Sequence, residues 1–226
     1  MGNINNSADS VVVLDFETTG LSPNQGDRAI EIGAVKILNG KVVESFQELM
    51  NPGCRISSFI ESYTGITNGM LKNAPPCKAV MDRFHRFIGD SNLVAHNASF
   101  DSRFLEAEFD RIGRPLHAQF ACSMLIARRI YQDAPNHKLG TLVEYKHLPN
   151  DGTFHRALAD SQMTGHLWLA MIADIKARHP FNNIPFNVMQ KLSSINKHSA
   201  SAFLNYMKIW IRPKQKSLRM NQVKKK

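Results

Sequence analysis

Two carboxylates stand two residues apart at the end of an apolar run, in Val11-Val12-Val13-Leu14-Asp15-Phe16-Glu17. In an extended chain, residues i and i+2 point to the same face, so Val11, Val13, Asp15 and Glu17 share one side, with the two acids at its C-terminal end. Acids beside an apolar run cost desolvation and mutual repulsion, and a divalent cation relieves both. Taken alone, the D-x-E fragment fits a metal site and a solvated strand end about equally well. Asp101 closes VAHNASFD, where an expected strand passes into a helix. In that first turn it either joins the other acids or complements the positive end of the helix dipole. His155 and Asp160, in HRALAD, lie five residues apart. On a regular helix they would point about 140° apart. Both therefore serve one site only if His155 lies off the helix, in the loop that contains Pro149 and Gly152.

The elements that must position these side chains follow from periodicity. The β-branched run 11–17 is too short for a helix and reads as a central strand buried on both faces. Residues 30–38 and 41–50 flank Asn39-Gly40, which favours a two-residue hairpin turn, so these strands should pair antiparallel. A Gly- and Ser-containing loop region follows. In AVMDRFHRFIG, Val80, Phe84, Phe87 and Ile88 recur at helical spacing, and Gly89 stands where the helix should stop. A short strand is expected over 92–96 and a helix over 100–112, with Phe104, Leu105, Phe109 and Ile112 inward. Another strand is expected over 118–122, then helices near 124–131 and 139–145. A long helix should run from about 157 to 178, lined by Leu158, Leu167, Ala170 and Met171. Leading strands followed by β/α alternation make an α/β sheet with helices on both faces.

DFETTG, VAHNASFD and H-x-x-x-x-D, in that order, resemble the DEDDh group of 3′-to-5′ exonucleases, the DnaQ-like branch of the ribonuclease-H-like superfamily. That group includes the proofreading epsilon subunit of bacterial DNA polymerase III. The resemblance spans about residues 9–175 and takes in IEIGAV and YTGITNGM. Asp15, Glu17, Asp101, His155 and Asp160 fill the five signature positions. The resemblance implies a mixed five-stranded ribonuclease-H-like sheet and two Mg²⁺ or Mn²⁺ ions held by Asp15, Glu17 and Asp160, with Asp101 assisting. It also makes His155 the general base that takes a proton from the attacking water. Thr18 and Leu21 would meet the terminal sugar and bases, and Asn97 would order the loop before Asp101. For Leu21, core packing is an equally good reading.

The other histidines show no zinc spacing, and His96 reads as a hydrogen-bonded residue at a sheet end. Met124, Met163 and Met171 read as core filling, and Phe100 as a core residue at a helix start.

The chain has 226 residues, 28 Lys+Arg against 19 Asp+Glu, and 43% hydrophobic residues, enough for a real core. Its formal charge of +9 is unevenly placed, since all 19 acids lie at or before Asp174 and 12 Lys+Arg follow with no acid. A wholly basic segment of this kind suits a polyanion, nucleic acid ahead of a membrane surface. Two units are expected: 9–178 as the exonuclease domain, and 179–226 as a basic C-terminal extension, partly helical and then flexible from 212. Within the extension, 189–207 is expected to form one or two helices. The expected partners are 3′ ends of single-stranded nucleic acid, DNA ahead of RNA, and a polymerase or other replication or repair protein gripped through 179–226. Cys54, Cys77 and Cys122 fit neither a C-x-x-C motif nor a disulfide framework and are expected to be buried or partly buried free thiols. No secretory signal or apolar span is visible, and Asn6 stands where a myristoylation motif needs Ser or Thr, so a cytoplasmic protein without membrane contact is expected. A noncatalytic nucleic-acid-binding module of the same fold would be expected to lack one of the five signature residues.

Overall fold

In the computed structural model, residues 7–150, 152 and 155–211 are described. Five strands form one sheet in the order β3-β2-β1-β4-β5. They are β1 (Val11–Thr18), β2 (Ala29–Leu38), β3 (Lys41–Leu49), β4 (Leu93–Ala95) and β5 (Phe120–Cys122). β1 is central. It pairs antiparallel with β2 and parallel with β4, which puts its C-terminal end at the edge where β4 also ends. Asn39 and Gly40, with φ of 51° and 76°, turn β2 into β3 as a hairpin of this length requires.

The alternating side chains of β1 divide the core. Val11 and Val13 pack with Leu167, Trp168 and Met171 of α7 (Ala157–Arg178). Val12, Leu14 and Phe16 pack on the opposite face with Val80 and Phe84 of α3 (Cys77–Ile88) and with Phe104 and Phe109 of α4 (Ser99–Arg111). Helices therefore cover both faces. α5 (Ser123–Ile130) and α6 (Leu139–Tyr145) join the α7 layer.

Two features depart from the sequence reading. The segment between β3 and α3 folds into two short helices, α1 (Ser58–Thr64) and α2 (Asn68–Lys72), over a small cluster of Ile30, Ile56, Ile66 and Leu71. Ser57 and Thr67 cap their first turns by accepting from the backbone N–H of Ile60 and Met70. Cys54 is exposed, whereas Cys77 and Cys122 are buried. It sits in the bend just before α1 and contributes nothing to either main cluster.

Beyond α7 the chain continues into α8 (Phe186–Leu192) and α9 (Ala200–Ile211). Phe186, Val188, Met189, Leu192, Ala200 and Leu204 pack into the same cluster as Trp168, whose indole donates to the Ala8 carbonyl at 2.7 Å. The segment expected to be flexible, 212–226, lies outside the described residues. Among the described residues, no helix is long and apolar enough to cross a membrane.

Candidate active site

β1 delivers Asp15 and Glu17 at its C-terminal end, and α7 delivers Asp160 in its first turn. Ligand atoms of the three carboxylates lie within 4.8 Å of one another. That approach depends on Gly33 of β2, where any Cβ would collide with the backbone of Ala157 and Leu158. The hydroxyl of Ser161 seals the contact, 2.8 Å from the Gly33 carbonyl. Asp101 enters from α4 and is buried. Its Oδ1 accepts from the backbone N–H of Phe16, between the two β1 acids, at 3.2 Å.

Burial and crowding push all four carboxyls upward. Asp15 is raised well above the usual range, first by burial and then by the charges of Asp101, Asp160 and Glu17. Glu17 is pushed up to about 8 by burial and then by Asp160, and Asp101 to about 7 by burial. Asp160 is raised by burial, against its hydrogen bond from the Arg156 backbone. Among the described residues, no lysine or arginine forms an ion pair with Asp15, Glu17 or Asp160. Three converging hard oxygen donors without an ion-paired lysine or arginine suit a divalent metal ion, which would favour the charged forms against the burial and repulsion that raise these groups.

His155 lies off α7, which begins at Ala157, and has a left-handed backbone with φ of 59°. Its ring lies 4.1 Å from the Tyr63 ring, centroid to centroid. The loop after β1 is held by Asp27, which accepts from the Thr19 hydroxyl at 3.1 Å and from the Ser22 backbone at 2.9 Å. Thr18 is buried, and its hydroxyl donates to the Gly20 carbonyl. Leu21 is 74% exposed, so core packing is not its role. Asn97 takes a left-handed φ of 73°, and its carbonyl accepts from the Phe100 N–H as α4 opens. His96 does bond at the sheet end, to the Ser123 hydroxyl and the His137 carbonyl, and burial pushes it down to about 4.

Two residues not singled out in the sequence join this site. Phe59 and Tyr63 are one helical turn apart on α1, 71% and 51% exposed, with rings stacked at 5.9 Å and 12°. Tyr63 also feels Glu17, Asp160 and Asp15, whose charges add to burial in raising its phenol. The i, i+4 aromatic spacing was the available signal, but it lies in a stretch without longer periodicity.

Residues 12–167 match the family RNase_T, described as Exonuclease. The chain is 40% identical over 168 residues to the PolC-type DNA polymerase III of Caldanaerobacter subterraneus subsp. tengcongensis, covering 73% of this chain and 12% of that protein. It is 32% identical over 201 residues to the 3′-5′ exonuclease DinG of Bacillus subtilis, covering 88% of this chain and 21% of DinG. The chain thus spans only a small part of these relatives. Its fold is similar to that of Exonuclease X in complex with 5′ overhanging duplex DNA, with a TM-score of 0.64 and 26% identity, covering 81% of this chain and 99% of the other. With the match over 12–167, the ribonuclease-H-like sheet and the acids gathered at the end of its central strand, the chain belongs to the exonuclease family, in its DEDDh group.

Proposed function

We propose that this chain is a metal-dependent 3′-to-5′ exonuclease that removes 5′-mononucleotides from the 3′ ends of single-stranded or frayed nucleic acid, DNA ahead of RNA. The convergence of Asp15, Glu17 and Asp160 within 4.8 Å carries this reading. These three would hold two Mg²⁺ or Mn²⁺ ions, with Asp101 behind them. When bound, such ions supply charge stabilisation at the scissile phosphate and a more acidic water.

The protein's own residues supply the rest. An imidazole nitrogen of His155 takes the proton of the attacking water. Asp101 fixes the β1 backbone between the two acids through the Phe16 N–H. Thr18 and Leu21, on the loop braced by Asp27, receive the terminal sugar and base, with Leu21 projecting into solvent. Asn97 turns the chain into α4 so that Asp101 reaches the strand. The exposed rings of Tyr63 and Phe59 offer stacking faces that any base can use. The reading of DNA ahead of RNA is supported by the identity to PolC-type DNA polymerase III and by the likeness to Exonuclease X in complex with 5′ overhanging duplex DNA.

We read 9–178 as the exonuclease unit and 179–226 as an appended segment whose first part, through Leu204, is docked on the body. The identity to PolC-type enzymes favours a second reading, action beside a polymerase through 179–226. Incubating purified protein with 5′-labelled single-stranded DNA, duplex DNA and RNA, with Mg²⁺, Mn²⁺ or chelator, tests the assignment. A ladder shortening from the 3′ end only with metal is expected. Internal cuts, or activity indifferent to chelator, would overturn it.

A further inference from the structure

Arg156 stands between His155 and the first residue of α7, and its guanidinium reaches across the fold to Glu31 on β2. Nη2 lies 2.9 Å from Oε1 and Nε 3.2 Å from Oε2. Glu31 is fully buried and accepts two further hydrogen bonds, from the Ala157 backbone N–H at 3.2 Å and from Gln47 Nε2 at 2.9 Å. It pairs directly with Glu17 in the β1–β2 ladder, so both side chains lie on one face of the sheet. A sheet has no packing reason to bury a further carboxylate beside four others, because an apolar residue of similar volume costs less there.

We propose that Glu31 and Arg156 form a positioning pair for the active site, anchoring the joint between the His155 loop and α7. The inference rests on the roles given above to His155 and Asp160. Several contacts meet at this joint. The backbone N–H of Arg156 donates to Asp160 Oδ2 at 3.1 Å, so the residue that binds Glu31 also orients the α7 acid. The next N–H, of Ala157, donates to Glu31 itself. Gly33 lies two residues beyond Glu31 on the same face of β2 and lets the helix start settle against the strand. His155, immediately before the joint, holds a left-handed backbone that a non-glycine residue keeps only where its surroundings impose it. Arginine suits this task because its planar fork engages both carboxylate oxygens, whereas an ammonium offers a point charge. With Nε and Nη2 committed to Glu31, the guanidinium is held as a brace across the joint.

Arg156→Gln, Arg156→Lys, Glu31→Gln and the double variant Glu31→Gln/Arg156→Gln test the pair in the full chain. Two readouts are needed: kcat and KM on labelled single-stranded DNA with Mg²⁺, and amide hydrogen exchange over 150–161 in metal-free protein. Arg156→Gln should lower kcat by about tenfold or more, as loss of a supporting contact around a metal site commonly does, with KM within about twofold. Exchange at 155–160 should rise while β1 and β4 stay protected. Arg156→Lys should recover part of kcat, and the double variant should be no worse than the worse single one. Wild-type kcat and exchange in Arg156→Gln would overturn the pair, as would a loss carried by KM with unchanged exchange, which would make Arg156 a substrate contact. If the wild-type chain shows no exonuclease activity, the functional reading fails, and the exchange measurement still decides whether the pair anchors the joint.

Discussion

Glu17 and Glu31 face each other across β1 and β2, yet only Glu31 is matched by a cation among the described residues. Glu31 receives the Arg156 guanidinium and two further donors, whereas Glu17 shares its surroundings with Asp15 and Asp160. The compensated acid serves the scaffold. Among the described residues Glu17 lacks such an ion-paired partner, and a divalent ion bound there would favour its charged form.

Asp15→Asn should abolish nuclease activity with the fold intact, because it removes one charge from the ion-holding set while relieving repulsion in the metal-free protein. The metal-free melting temperature should stay the same or rise by up to about 5 °C, the scale of a kcal/mol or two in a chain this size. Turnover within about tenfold of wild type at saturating Mg²⁺ would contradict a metal-holding role.

Metal-free protein should lose stability as pH rises from the ordinary carboxylate range toward about 8. Glu17, at about 8 when folded against 4.5 ordinarily, keeps its proton in the folded state across that window while the unfolded chain releases it. Asp101, at about 7 against 3.8, acts in the same direction. The cost is absent below the ordinary values, grows through the window and is complete above the folded ones. Saturating Mg²⁺ or Mn²⁺ should reverse it, since an ion favours the charged forms. Thermal melts from pH 4 to 9 with and without metal would show this, and a metal-free melting temperature that climbs across the window would contradict it.

His155→Ala should slow cleavage by about a hundredfold or more, with substrate affinity largely kept, as expected for a lost general base. Single-turnover rates alongside equilibrium binding separate the two effects. A variant that loses affinity and keeps its rate would make His155 a binding residue.

Tyr63→Ala should weaken single-strand binding by about tenfold and Phe59→Ala by less, since stacking of one base on an aromatic ring is worth about 1–3 kcal/mol. The change should appear in KM. Equal affinity in both variants would mean that the α1 rings take no part in holding substrate.

Removing 212–226 should flatten the salt dependence of single-strand affinity and leave turnover at saturating substrate unchanged. The removed residues include Arg212, Lys214, Lys216, Arg219 and three terminal lysines, without an acid. Each phosphate they engage adds about −0.7 to the log-log slope. Truncation at 211 keeps Leu204, which is packed in the core, so the loss reads charge and not folding. An unchanged slope would leave the basic segment to a protein partner.

Much of the scaffold was legible because it rests on local rules. The β-branched run of β1, the Asn39-Gly40 turn and the apolar spacing of α3, α4 and α7 each carry their own signal within a few residues. α1 and α2, of 7 and 5 residues, were not legible, since they lie in a Gly- and Ser-containing stretch without an apolar period. They exist through caps at Ser57 and Thr67 and a shared apolar cluster, so the exposed faces of Phe59 and Tyr63 stayed hidden with them. The five signature residues stood out by type and order, and the off-helix place of His155 followed from geometry. The Glu31–Arg156 contact did not, because it joins positions 125 residues apart through a fold that had first to be built.

The route by which α7 reaches the sheet also bears on synthesis. Asp15 and Glu17 are made before Asp101, and His155 and Asp160 after it. The cluster needs α7 seated against Gly33, and a growing polypeptide that has not yet passed residue 160 lacks both the helix and its acid. On a ribosome surrounded by RNA, the incomplete chain therefore has β1 and its two carboxylates without the group that completes them. The cluster is complete only once α7 has been made and can close over the sheet.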